Sequence, residues 1–169
     1  MKKILLLFAA IISFHTGFSQ EDQNNEVTTY YLIRHAEKDR SDSSNKNPNL
    51  TQEGMARALN WAEVFDSITL DEIYSTNYSR TKQTAEPTAF KQKKRITYYD
   101  PSELDFKNFI EQTKGKKVLV VGHSNTTPWF TNQLLGEETY EAMDDSDNGG
   151  LYIVTIVNGN ATSTRLTIN

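Results

Sequence analysis

The chain has 169 residues, 37% hydrophobic and 24% charged, which suits one globular domain with a core of its own. It contains no cysteine, which excludes disulfides, a thiolate nucleophile and any cysteine-based metal site. A formal charge of −4 and a pI near 5.4 argue against a nucleic-acid binder.

In chain order, residues 1–19 read as a secretory signal peptide. Lys2 and Lys3 form a positive start, Ile4–Ile12 is an apolar run, and Gly17-Phe18-Ser19 places small residues at the −3 and −1 positions of a cut before Gln20. The run falls well short of the ~20 apolar residues that a spanning helix needs. The expectation is an exported chain, periplasmic or secreted, whose residues 20–169 form a single domain with no membrane attachment after cleavage. Cleavage removes His15 and leaves His35 and His123 as the histidines of the mature chain.

Gln20–Glu26 is polar and reads as a terminus. Val27–Ile33 is rich in β-branched and aromatic residues, which predicts a strand. It ends abruptly in Arg34-His35-Ala36-Glu37-Lys38. In open α/β sheets ligands bind just beyond the carboxyl ends of strands, so this is where chemistry is expected. Asp39–Asn49 is a loop by composition that reads as a solvated connector, with a place beside such a pocket as the alternative.

Leu50-Thr51-Gln52-Glu53-Gly54 opens a helix capped by Thr51, with Met55, Ala58, Leu59, Ala62 and Phe65 as its expected core face. Leu70–Tyr74 is a second strand. It passes through Ser75-Thr76-Asn77-Tyr78-Ser79 into a helix carrying Arg80-Thr81-Lys82-Gln83-Thr84-Ala85. A helix start of that kind favours anions, although Arg80 taken alone reads first as a surface ion-pair partner. The basic run Lys91–Arg95 reads as a solvated helix end.

Ile96–Tyr99 is a third strand, and Glu103–Gln112 a helix offering Leu104, Phe106, Phe109 and Ile110 to the core. Lys117–Val121 is a fourth strand, ending in Gly122-His123-Ser124-Asn125. It repeats the first strand's design and delivers the second histidine to the same kind of edge. A helix runs from Thr126, with Pro128 in its first turn, to Leu135, and Gly136 stops it. Leu151–Val157 and Ala161–Ile168 flank Asn158-Gly159, a strong hairpin signal. The alternation predicts an α/β fold: a three-layer α/β/α sandwich with a mostly parallel central sheet and an antiparallel C-terminal hairpin.

Four stretches in this order, Arg34-His35-Ala36-Glu37, Leu50–Gly54, Tyr74-Ser75-Thr76 leading to Arg80–Ala85, and Val120–Asn125, resemble the ordered motifs of the histidine phosphatase superfamily, the phosphoglycerate-mutase-like fold. The resemblance spans essentially the whole chain after the signal. It implies that His35 is the nucleophile that takes up a phosphoryl group. It implies that Arg34 and Arg80 grip phosphate oxygens with their planar guanidinium forks. His123 would donate to a phosphate oxygen, and Asn125 in the same motif is counted with the substrate-binding residues. The resemblance requires no metal and no cofactor.

A leaving alkoxide needs a proton, so a carboxylic acid is expected near His35. Glu103 stands at a comparable position in the family, but Lys107 replaces the expected glycine. Asp105 is the second candidate, and Glu103 reads equally as a simple helix-start residue. Some relatives acting on labile phosphoramidates lack this acid. The stretch from Arg80 to His123 is too short for the large cap domain of acid phosphatases and phytases. The resemblance thus implies an exported, metal-independent phosphomonoesterase working through a phosphohistidine intermediate, on a phosphorylated small molecule or a phosphoprotein. The alternatives are a phosphohistidine protein phosphatase and an inactive phosphate-ligand binding module on the same fold.

Overall fold

The computed structural model describes residues 26–169. The signal segment expected at 1–19 lies outside the described residues. Ten elements follow in order: β1 (Val27–Arg34), α1 (Gln52–Val64), β2 (Glu72–Thr76), α2 (Ser79–Lys91), β3 (Ile96–Tyr99), α3 (Phe106–Gln112), β4 (Lys117–Gly122), α4 (Thr126–Leu135), β5 (Gly150–Val157) and β6 (Asn160–Thr167). The strands form one sheet in the order β3-β2-β4-β1-β5-β6. The first four are mutually parallel, and β5 and β6 join antiparallel, β5 against β1 and β6 against β5. The expected sandwich and hairpin are both present. Asn158 and Gly159 both take positive φ, 51° and 80°, as a two-residue hairpin turn matching the twist of its strands demands.

Strand residues alternate between two cores, one on each face of the sheet. Tyr30, Leu32, Val118, Val120 and Val154 face Phe109 of α3 and Phe130 of α4. Ile33, Leu119, Val121, Ile73 and Leu151 face Trp61 and Phe65 on the α1 side and Ala85 and Ala89 of α2. A central strand covered on both sides must be apolar throughout, which is why Val118–Val121 reads as an unbroken run. Among the described residues no helix is long and apolar enough to cross a membrane.

Two expectations change. The buried face of α1 is Gly54, Ala58, Trp61 and Ala62, continuing into Phe65, while Met55 and Leu59 stand 43% and 59% exposed. The helix is turned by one residue because it approaches the backbone after β1 too closely for a side chain. A Cβ on Gly54 would lie 2.2 Å from the Glu37 carbonyl oxygen. The third helix begins at Phe106 rather than Glu103, because Asp105 is its N-cap, accepting from the backbone N–H of Asn108 at 3.1 Å. Leu104, Phe106 and Ile110 pack on the core as expected.

The chain moves outward from β1 through β2 to β3, then returns to β4. The crevice beyond the carboxyl ends of β1, β2 and β4 lies where that direction reverses, the usual ligand position of an open α/β sheet.

Candidate active site

Beyond those strand ends opens a cavity of about 730 Å³. Arg34, His35, Arg80, His123 and Asn125 all line it, so the structure brings together five of the six residues singled out from the sequence.

His35 follows the last residue of β1 and is 3% exposed. Three bonds fix its backbone neighbourhood. Its N–H donates to the Gly122 carbonyl at 2.9 Å, its own carbonyl accepts from Asn148 Nδ2 at 2.8 Å, and the N–H of Ala36 donates to Thr84 Oγ1 at 2.9 Å. Thr84 Oγ1 also donates to the Arg80 carbonyl at 2.7 Å, tying the segment that carries His35 to the helix that carries Arg80. The ring is oriented as well. Nδ1 lies 2.7 Å from the Ala36 carbonyl, which can only accept, so Nδ1 carries the proton and Nε2 keeps its lone pair. Burial, reinforced by Arg34, His123 and Arg80 and partly offset by the Ala36 bond, pushes the pKa down to about 3. The ring is therefore neutral and nucleophilic at ordinary pH. Burial, more than the neighbouring cations, is the first cause.

His123 sits against it, ring centroids 5.4 Å apart. Arg80 Nη2 is 3.3 Å from His123 Nδ1 and can only donate, so Nδ1 accepts and Nε2–H donates to Thr76 Oγ1 at 2.9 Å. Burial, with Arg80, Arg34 and Lys38 behind it, lowers this pKa to about 4. The turn after β4 is tight: a Cβ on Gly122 would lie 2.9 Å from Thr127 Oγ1.

Arg34 is 1% exposed. Its Nη1 donates to the carbonyls of Asp144, Asp145 and Asp147 at 2.9, 3.0 and 3.2 Å, and Nη2 pairs with Asp145 Oδ1 at 2.8 Å. The Nε atoms of Arg34 and Arg80 are both buried and have no protein partner. Both ring nitrogens of His123 are engaged within the protein, so the donation to a phosphate oxygen expected of it is not in place, and the two arginines with unspent donors are what suits a tetrahedral dianion.

The structure does not bring Glu103 to this cavity. It lines a neighbouring groove with Leu104, Asp105 and Asn108, because the helix starts late and the Asp100-Pro101-Ser102 turn stands between. Asp105 is spent on its cap. Among the described residues the carboxylates lining the cavity are Asp100 and Asp145. Hydrogen bonds from Ser102 hold Asp100 below the usual range, and Arg40 and Arg34 hold Asp145 at about 2. Both are ionised and neither is a proton donor at neutral pH. Glu37, in the Arg-His-Ala-Glu stretch, turns away to pair with Arg57 at 2.7 Å.

Lys38, Thr76, Asp145 and Asn148 were not singled out from the sequence. Lys38 and Thr76 lie within the motif stretches but carry no local signal of a role. Asp145 and Asn148 belong to a loop whose sequence, Asp144-Asp145-Ser146-Asp147-Asn148, carries no periodicity to mark it.

Strand-end histidines and two buried or half-buried arginines give this α/β fold a cationic cavity floor of a kind that suits a phosphoryl group. The model of the histidine phosphatase superfamily, branch 1, matches residues 30–109, from β1 through most of α3. Solved structures share the fold. SixA from Agrobacterium tumefaciens aligns at 19% identity over 83% of this chain and 99% of that one, with a TM-score of 0.61. The protein histidine phosphatase SixA complexed with tungstate aligns at 14% identity over 82% and 96%, TM-score 0.65. Phosphoglycerate mutase from Bacillus anthracis aligns at 14% identity over 84% and 93%, TM-score 0.63. No curated protein matches the chain. Over residues 30–109 the chain resembles the histidine phosphatase superfamily, and the solved structures share its fold.

Proposed function

We propose that the chain is a metal-independent phosphatase in which His35 Nε2 accepts the phosphoryl group, and that its substrates release a leaving group needing no proton from the enzyme. A phosphoramidate such as the phosphohistidine of a protein meets that requirement. With its ring protonated, the phosphorylated imidazole departs as a neutral molecule. The electron pair of the broken P–N bond stays on the departing nitrogen while the Nε2–P bond forms. Water then attacks phosphorus, the Nε2–P bond breaks with its electron pair returning to Nε2, and inorganic phosphate leaves with the water's oxygen and both of its protons.

The observation that carries this choice is the state of the cavity's carboxylates. General acid catalysis needs an acid protonated at working pH, and Asp100 and Asp145 are both bound into their ionised forms. An alkyl phosphate, whose alkoxide must be protonated as it leaves, is poorly served. The SixA neighbours, one of them a protein histidine phosphatase by its description, support the same substrate class. An inactive phosphate-binding module is the non-enzymatic reading, and the neutral, oriented Nε2 of His35 speaks against it.

The test is the kcat/KM of phosphoimidazole against ethyl phosphate, with and without chelator. The reading requires turnover of the first to exceed that of the second by about 10²-fold or more, the usual contribution of a general acid, and to survive the chelator. Phosphate binding without turnover of either would establish the binding module. We also propose export with cleavage before Gln20. Mass spectrometry of the exported protein should find Gln20 at its N-terminus, and a chain beginning at Met1 would refute it.

A further inference from the structure

A phosphoryl group fills only the floor of a cavity of this size. In-line displacement by His35 sends the leaving group outward, toward the mouth. At that mouth stand Tyr78 and Tyr98, 43% and 51% exposed and both lining the cavity.

The placing of Tyr78 breaks a local rule. It is the N-cap of α2, a position favouring Ser, Thr, Asp or Asn, whose side chain satisfies a free backbone N–H. Tyr78 makes no such bond. The cap comes from elsewhere: Asn47, in the loop after β1, accepts from the Ser79 N–H through Oδ1 at 2.8 Å. With capping supplied from another loop, position 78 is free to carry a ring. That ring is held on two sides. The Arg80 guanidinium lies 4.5 Å from its centroid, and its edge-on contact with the His123 ring is 5.1 Å at 89°. His35, His123 and Tyr78 thus form a continuous row of rings from the nucleophile to the mouth. Tyr98 on the edge strand β3 lies beneath Lys82 Nζ at 5.8 Å. Local rules are broken chiefly where function requires it.

The geometry points to an aromatic leaving-group subsite: Tyr78, with Tyr98 lining the same cavity, selects phosphorylated substrates whose departing group is a flat aromatic ring. This inference rests on the proposed phosphatase reading and narrows it, from leaving groups that need no proton to those that are also planar rings. Tyr78 and Tyr98 act on specificity. They take no part in bond making, so their removal is expected in KM for ring substrates more than in kcat.

The experiment uses two P–N substrates that differ in the ring: phosphoimidazole, which releases imidazole, and phosphoramidate, which releases ammonia. Tyr78→Leu keeps bulk and leaves the Asn47 cap untouched. It is expected to lower kcat/KM for phosphoimidazole about three- to tenfold more than for phosphoramidate, the range an aromatic contact supplies. Tyr78→Phe should stay within about twofold of wild type on both. Tyr98→Leu should show the same bias. An equal loss on both substrates in the Leu variants, or a Phe variant as impaired as Leu, would overturn the subsite while leaving the phosphatase reading intact. Wild-type protein that cleaves neither probe would overturn the phosphatase reading itself, and the subsite with it.

Discussion

Asp145 occupies an anion's place on Arg34: its Oδ1 lies 2.8 Å from Nη2, while its Oδ2 pairs with Arg40 at 2.8 Å. A phosphoryl group approaching Arg34 meets this carboxylate. Its side chain is 67% exposed, so the repulsion is screened and modest. Asp145→Asn should lower the inhibition constant of inorganic phosphate by about three- to tenfold, read from competitive inhibition of turnover. An unchanged constant would place Asp145 outside the phosphate's reach.

Thr84 links the two halves of the site through one hydroxyl. Thr84→Val keeps the shape and leaves the buried N–H of Ala36 without a partner. The expected cost is about 1–3 kcal/mol of stability, seen as a lower denaturation midpoint, with a fall in turnover as the His35 segment loosens. Wild-type stability would mean that the N–H finds another acceptor.

The pH behaviour follows from the two lowered histidines. In the unfolded chain each takes up a proton near pH 6.5, while in the fold His35 does so at about 3 and His123 at about 4. On acidification the unfolded state binds protons first. The stability these rings contribute is complete above about pH 6.5 and is lost progressively as pH falls toward 4 and then 3. Ring resonances of His35 and His123 should show no titration between pH 5 and 8, and the melting temperature should fall from pH 7 to pH 5. A titration midpoint near 6.5 for either ring would contradict the burial argument.

The element order was legible because strand and helix periods, Asn158-Gly159 and Gly136 are local signals. Arg34, His35, Arg80 and His123 were legible because each sits at a strand end or helix start inside a motif. The rest depends on distance in sequence. Asp145 reaches Arg34 across 111 residues and Asn148 reaches His35 across 113, and no local pattern announces either contact. The α1 face was displaced by one residue because Met55 and Leu59 obey the same spacing as the true face. Only the contact of Gly54 with Glu37 decides between them.

Glu103 is the instructive case. Its position along the chain suited a general acid, but the cap at Asp105 shortens the helix and leaves Glu103 in the adjoining groove. Glu103→Gln should therefore change kcat/KM by less than about twofold on both ethyl phosphate and phosphoimidazole. A selective loss on ethyl phosphate of about 10²-fold or more, the scale of general acid catalysis, would restore Glu103 to the reaction.

In the proposed reaction His35 carries the phosphoryl group. Rapid-quench labelling with radiolabelled phosphoimidazole, followed by peptide mapping, tests it directly. An acid-labile, alkali-stable label is expected on His35, formed at a rate that supports turnover and absent from His35→Ala, which should also lose turnover. Wild-type turnover in His35→Ala, or label recovered on any other residue, would contradict it.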